Sequence, residues 1–494
     1  MIVIILGGGV GMIENYIEKE IMRQVKLTEY LYECKKLVIS DVAKRLDVSF
    51  NTIKRDFERL IFQLEEYIIS YEITKTYMTV WFDSIYTRYD LIKQIYSYSK
   101  FLNVCMLYLK GETNYLTVVE NKFVSVTKAF QLKRNVEQYF MEIGLLDENR
   151  NWLNNEITFR LVTLTVLARN PLNCQTLDKE KMKQAQEFVE KLFFDLANSY
   201  ERNDREYTFL TLAVYLTITR YKDHPVQKSS TKYKLEESLT FKKIQVNGQI
   251  IFKEYDLNDN ELLFLTTIYK NISLNSDSFM TIQLNYQYER KHVIENNREI
   301  QSLIFHFEEE FQNSLFSQII FERPLITFSY STWNNLQHFL LYRHHYLNEE
   351  QLQLLIRIKK VFMQWKEKVW PEPPFIFSDL AIEWFVAQVS SSLIFKEKQK
   401  RVYFVVAESE EAHIIYRELL THWLNLDYNM IDSFLYYSVD QLPEYIKRNP
   451  HIIICDRSVL AESELELPNL FPISRYSVSE DLKVILTESL NLIR

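Results

Sequence analysis

Glycine and proline are scarce: the 494 residues include 7 Gly and 10 Pro. Four of those glycines, Gly7, Gly8, Gly9 and Gly11, crowd into the start of the chain. Almost everything after them lacks the two residues that most readily interrupt helices, so a mainly α chain is expected. The length exceeds what one hydrophobic core supports, which points to about three to five domains. Hydrophobic residues at 47% and charged residues at 25% are the mixture of ordinary globular domains.

A net charge of −8 argues against a chain coated in basic surface, while leaving room for local basic patches. Cys34, Cys105, Cys174 and Cys455 are scattered with no C-x-x-C pair. That speaks against a disulfide framework and the common zinc spacings and suits a reducing cytoplasm. The early apolar run Met1–Leu6 is too short for a signal peptide or a membrane span. Gly7-x-Gly9 lacks the third glycine of a dinucleotide fingerprint, since Met12 stands there, and no strand follows to complete a βαβ unit. Residues 1–11 are therefore expected to be an upstream extension, with Met12 as the natural start.

From Met12 the pattern is helical, with Ile17, Ile21, Met22 and Val25 on one face. In "LVISDVAKRLDVSFNTIKRDFERLIFQLEEY", Ser40 is placed to cap a short helix whose inner face is Val42, Ala43 and Leu46. Asp47-Val48 makes a turn, and Ser49 caps a second helix with Ile53, Phe57, Leu60 and Leu64 inward. Asn51, Thr52, Lys54, Arg55 and Arg59 then face outward, the residue types that reach base edges and phosphates. The alternation in "YIISYEITKTYMTVWF", centred on Thr74-Lys75, predicts a two-stranded wing. Taken together these features predict a winged helix-turn-helix over 12–83. A helical hairpin buried in a core is the competing reading.

A fainter copy is expected over 84–170. Two helices in Arg88–Lys110 precede "TNYLTVVENKFVSVTKAFQLKRNVEQYFMEIGL", where Ser125 caps a candidate recognition helix. Between Asn121 and Val136 the charges are Lys122, Lys128, Lys133 and Arg134, all positive, as a phosphate-facing surface requires. A solvated helix face would look similar.

Glu156 to about Val369 reads as helices with polar breaks. Ala185, Phe188, Val189, Leu192, Phe193 and Leu196 form one stripe; Phe209, Leu212, Ala213 and Leu216 form the next. Ile300, Leu303, Ile304, Phe307 and Phe311 mark a helix of a second bundle, followed by Trp333, Leu336 and Leu340 on another. "VWPEPPFIF" breaks the pattern, and Ile382, Phe385, Val386, Val389 and Leu393 make one more helix. From Lys400 strands and helices alternate: "RVYFVVA" and "HIIICD" as strands, "SEEAHIIYRELLTHWL" and "VDQLPEYIKR" as helices, hence a small parallel α/β domain.

The segments "ISDVAKRLDVSFNTIKRDFERL", "VSVTKAFQLKRNVEQYFMEIGL" and "NWLNNEITFRLVTLTVLARN", with this domain order, resemble the Mga family of global virulence regulators and its AtxA-type activators. The resemblance covers nearly the whole chain. It implies two winged helix-turn-helix units, two bundles like the phosphotransferase-system regulation domains (PRDs) at 171–288 and 289–398, and an enzyme-IIB-like α/β domain at 399–494. It also implies a cytoplasmic activator that binds AT-rich promoter DNA with limited sequence specificity and self-associates as a homodimer or larger oligomer. PRDs accept phosphate on histidine from the phosphocarrier HPr or enzyme II proteins. His224 is the candidate acceptor in the first bundle, and His306 and His338 in the second; ordinary surface or packing histidines are the competing reading. The active cysteine of a IIB domain follows its first strand, where this chain has "VVAESEEAH" and no cysteine, so a scaffold rather than a carrier is expected. No catalytic residues, metal ligands or cofactor are expected. Two other function classes remain open: a phosphotransferase-system carrier or enzyme component that binds no DNA, and a PRD-type RNA-binding antiterminator. The missing cysteine weighs against the first and the helical N-terminus against the second.

Overall fold

The computed structural model describes residues 11–114, 125–197, 204–227, 235–272, 275–276, 278–369, 377–394, 401–424, 429–443, 446, 451–461, 467 and 469–491. Gly7, Gly8 and Gly9, Lys122 with the stretch preceding Ser125, and most of the proline-rich "VWPEPPFIF" lie outside them. The chain divides into two compact units, one of residues 1–311 and 315–390, the other of 391–494 with 312–314. As the shortage of glycine and proline requires, it is mainly helical.

The first unit opens with α1 (Lys19–Cys34), β1 (Lys36–Val38), α2 (Ile39–Arg45), α3 (Phe50–Gln63), β2 (Ile68–Ile73) and β3 (Tyr77–Phe82). The three strands form an antiparallel sheet in the order β1-β3-β2. The wing is thus three-stranded rather than two-stranded, because Lys36–Val38 pairs with the far edge of β3. Next come α4 (Arg88–Ser97) and α5 (Lys100–Leu109), then α6 (Val126–Glu142) and α7 (Glu156–Arg169). Between α6 and α7 a single antiparallel bridge joins Leu146 to Trp152, closed by Asp147 accepting from the backbone N–H groups of Asn149 and Asn151.

The helices α8 (Lys179–Ala197), α9 (Asp204–Arg220), α10 (Leu239–Ile251) and α11 (Asp259–Tyr269) follow. The expected stripes face inward: Ala185, Phe188, Val189, Leu192 and Phe193 on α8 and Phe209, Leu212, Ala213 and Leu216 on α9 are buried, with Leu196 partly so. One continuous apolar core runs from Ile13 to Ile268, so the helix-turn-helix region and the first bundle are welded by shared burial. Arg160 on α7 is fully buried, reaching Glu261 on α11, Glu156 and the carbonyl oxygen of His224.

The rest of the first unit is α12 (Phe279–Arg290), α13 (Arg298–Phe311), α14 (Ile319–Trp333), α15 (Glu349–Val369) and all but the last turn of α16 (Asp379–Ile394). Phe307, Phe321, Phe328, Phe362 and Phe385 stack edge and face across α13 to α16, so the helix after the proline-rich stretch does close this bundle. Contrary to the helical spacing, Leu336 and Leu340 lie beyond α14. Asn335 turns into the left-handed region, φ 51°, and the chain then runs without regular structure. Leu336, Phe339 and Leu340 bury themselves in the first core instead.

The second unit carries a parallel sheet, β5-β4-β6-β7, of β4 (Arg401–Val406), β5 (Asn429–Ile431), β6 (Ile452–Asp456) and β7 (Leu470–Ile473). Helices α17 (Glu410–Trp423) and α18 (Val478–Asn491) pack on it. Every residue of β6 is buried, as the run "HIIICD" predicts for a central strand. The expected helix in "VDQLPEYIKR" is, among the described residues, only a turn of 3-10 helix at Val439–Gln441.

Candidate nucleic-acid interface

The first candidate surface is built on α3. Ser49 is exposed and caps the helix, its Oγ accepting from the N–H of Thr52 at 3.2 Å. Asp47 adopts φ 50°, a conformation short polar side chains tolerate, and so swings the chain from α2 into α3. Val42, Ile53, Phe57, Leu60 and Leu64 are all buried and Val48 fills the angle between the helices. Ser40, in contrast, does not cap α2. The helix begins two residues earlier than a Ser40 cap would set it, at Ile39 after Val38, because the N–H of Ile39 bonds back to Thr76 of the wing.

With the apolar face fixed inward, the opposite face of α3 must point out. Asn51 and Arg55 are exposed, and Arg55 makes no hydrogen bond or ion pair among the described residues. Thr52 shares a 2.8 Å contact with the Ser49 hydroxyl, and the Lys54 ammonium sits 4.9 Å over the Phe50 ring. Arg59 is exposed but bound to Glu20 of α1 at 2.5 Å. The wing tip presents Lys75, exposed, between Thr74 and Thr76.

Three anchors went unseen in the sequence. Asp56 lies on the buried side of α3 and holds Arg23 of α1 at 2.5 Å and 3.2 Å. An acid at an inward helical position, between Ile53 and Phe57, signals a buried ion pair, and that signal was available. Arg45 donates to the carbonyl of Leu347 and stacks over the Tyr346 ring at 4.0 Å. Glu18 accepts from Ser99 Oγ at 2.7 Å and from the N–H groups that open α5. The last two depend on distant segments that no local pattern reveals.

The second candidate surface is α6. Ser125 caps it, accepting from the N–H of Lys128 at 3.3 Å. Lys128 and Arg134 are exposed, Lys128 reaching Gln131 at 3.4 Å and Arg134 making no ion pair among the described residues. Lys133 is drawn to Glu137 at 3.7 Å and to the carbonyl of Thr113 at 3.3 Å, so it is the least available of the three.

The candidate histidines are spread apart. His224 is exposed, while its backbone is clamped by Arg160 and by the carbonyl of Arg220. His306 has both ring nitrogens engaged, Nδ1 with the carbonyl of Ser302 at 2.6 Å and Nε2 with Lys368 at 3.0 Å. His338 is half-buried. Among the described residues no group of acids, cysteines and histidines could hold a metal ion, and no helix is long and apolar enough to cross a membrane.

The family model for the DeoR-like helix-turn-helix domain matches residues 23–64, which span most of α1 and all of β1, α2 and α3. The N-terminal region carries a helix-turn-helix domain. This domain supports a DNA-binding regulator, and α3 is the helix it presents outward. No significant match was found among curated proteins.

Proposed function

We propose that the chain is a transcription regulator of the Mga and AtxA type that grips promoter DNA through α3 and the wing, with α6 as a second contact. The observation that carries the reading is the outward face of α3: Ser49, Asn51 and Arg55 are exposed, and Arg55 has no partner among the described residues. Helix-turn-helix proteins place such residues in the major groove and on flanking phosphates. The exposed Lys128 and Arg134 would extend the footprint on AT-rich duplex DNA. In this reading the middle helices are PRD-like and respond to phosphorylation, with His224 the most accessible acceptor. The α/β unit, which has no cysteine in the stretch directly following β4, serves self-association rather than catalysis, in a cytoplasmic protein that is not an enzyme.

The test is the salt dependence of affinity for an AT-rich duplex. A lost phosphate contact flattens the slope of log affinity against log salt by about 0.9. Arg55→Ala and Arg134→Ala are each expected to show that change. Arg59→Ala is expected to show less, because binding through Arg59 must first give up Glu20. Unchanged affinity and slope in Arg55→Ala would sink the assignment of α3.

A further inference from the structure

A stretch of chain with no helix or strand must find partners for its carbonyl groups elsewhere. The segment 336–347, which joins α14 to α15, finds them on four helices from the first half of the chain. Thr165 of α7 donates to the carbonyl of Phe339 at 2.8 Å, and Arg205 of α9 to that of Leu341 at 2.7 Å. Arg88 of α4 donates to the carbonyl of His344 at 3.5 Å, and Arg45 of α2 to that of Leu347. Leu336, Phe339, Leu340, His344 and Leu347 are buried. Near the end of the segment Tyr346 has two neighbours. The Tyr30 ring of α1 meets it edge-on at 5.1 Å, and the Arg45 guanidinium lies over its ring at 4.0 Å.

With 7 residues, α2 is too short to be stable by itself. Its inner face, Val42 and Ala43, packs in the core, and its first N–H, from Ile39, is tied to Thr76 of the wing at 3.0 Å. The other end is tied by Arg45, the last residue of the helix, to the segment 336–347. Two residues on, Asp47 turns the chain, and Ser49 then opens α3. The corner from which α3 leaves is therefore held at both ends of α2, and one hold comes from the connection between two helices of the second bundle. Arg45 is half-buried, with its guanidinium turned to Tyr346 and Leu347, so it is committed to the fold rather than offered to solvent.

We propose that Arg45, through Tyr346 and the carbonyl of Leu347, is a positioning residue for the α3 surface. The proposal rests on the DNA-binding reading. Without this contact α2 can leave the pose that DNA requires, and the apparent affinity falls with the fraction of chains still in that pose. The bound state keeps every phosphate contact, so the salt slope stays as it is. A residue that itself touches phosphate would flatten the slope by about 0.9.

The experiment measures affinity of the full chain for an AT-rich duplex across salt, with amide exchange of α3 in the free protein as the check on folding. Arg45→Met and Tyr346→Ala are each expected to bind roughly three- to tenfold more weakly, as for loss of one partly exposed cation–π contact, at an unchanged slope. The double variant should be no weaker than the more affected single one, because both remove the same contact. Tyr346→Phe keeps a ring under the guanidinium and should bind as the parent does. The proposal is overturned if Arg45→Met flattens the slope, if the two losses add, if Tyr346→Phe loses as much as Tyr346→Ala, or if amide exchange shows α3 unfolded in the free variants. Arg55→Ala separates the two readings. If it flattens the slope while Arg45→Met and Tyr346→Ala bind as tightly as the parent or tighter, the positioning role alone fails. A parent chain with no salt-dependent affinity for the duplex overturns the DNA-binding reading, and this proposal with it.

Discussion

Replacing Arg160 by Met removes the cation from a buried network that joins α7, α9 and α11. Arg160 and Glu261 are both fully buried, in contact through both Nη atoms, and Arg160 Nε holds Glu156 at 2.7 Å. Glu156 keeps a second partner, Arg220, at 2.7 Å and 2.8 Å. Among the described residues Glu261 keeps only the N–H of Val226, at 2.9 Å. The variant therefore strands a carboxylate in the core, a loss of about 3–5 kcal/mol by the usual cost of breaking a buried pair. Arg160→Met/Glu261→Leu removes both charges and leaves mainly two backbone groups, the Val226 N–H and the His224 carbonyl, without their present partners. It should be less destabilised than the single variant. Amide hydrogen exchange of α7 and α9 reads this locally, without requiring the two units to unfold together. A single variant that costs less than about 1 kcal/mol, or a double variant costlier than the single one, would refute the reasoning.

Two further outcomes follow from the histidines. His345 is pushed down to about 4, chiefly by burial and then by Arg88, Arg343 and Arg205; Glu33, half-exposed and 3.9 Å away, is too distant to offset them. A histidine whose folded pKa is depressed stabilises the fold above its ordinary pKa and loses that contribution as pH falls toward the folded value. Protection of α1 and α4 amides, corrected for intrinsic exchange, should drop by roughly 2 kcal/mol between about pH 7.5 and about pH 5. His345→Gln should flatten the drop, and an identical pH profile in that variant would remove His345 from the account. Incubation with a purified phosphocarrier system should place acid-labile phosphate on the chain and lose it in His224→Ala; labelling that persists there but disappears in His306→Ala or His338→Ala would move the acceptor to the second bundle.

Much of the helix-turn-helix was legible before any coordinates, because its determinants are local. Ser49 caps α3 by a bond three residues along, and Ile53, Phe57, Leu60 and Leu64 share a face by helical period alone. The central strand of the α/β unit was equally clear, since an uninterrupted apolar run needs burial on both faces. Ser40 was misplaced because a backbone bond from the wing, not a side-chain cap, sets the start of α2. The end of α14 was misread because Leu336 and Leu340 keep helical spacing while answering to another core.

Composition, period and the caps Ser49 and Ser125 determined that the chain is mainly helical, where α3 and α6 begin, and which face of α3 turns to solvent. Tertiary structure decided the partners of the outward cations, giving Arg59 to Glu20 and leaving Arg55 without one among the described residues. It also drew Thr165, Arg205, Arg88 and Arg45 to the carbonyls of one segment, 336–347. The division has a physical cause. Capping and periodic burial act over a few residues, whereas the partner of a charge is set by which distant segments the shared core brings together.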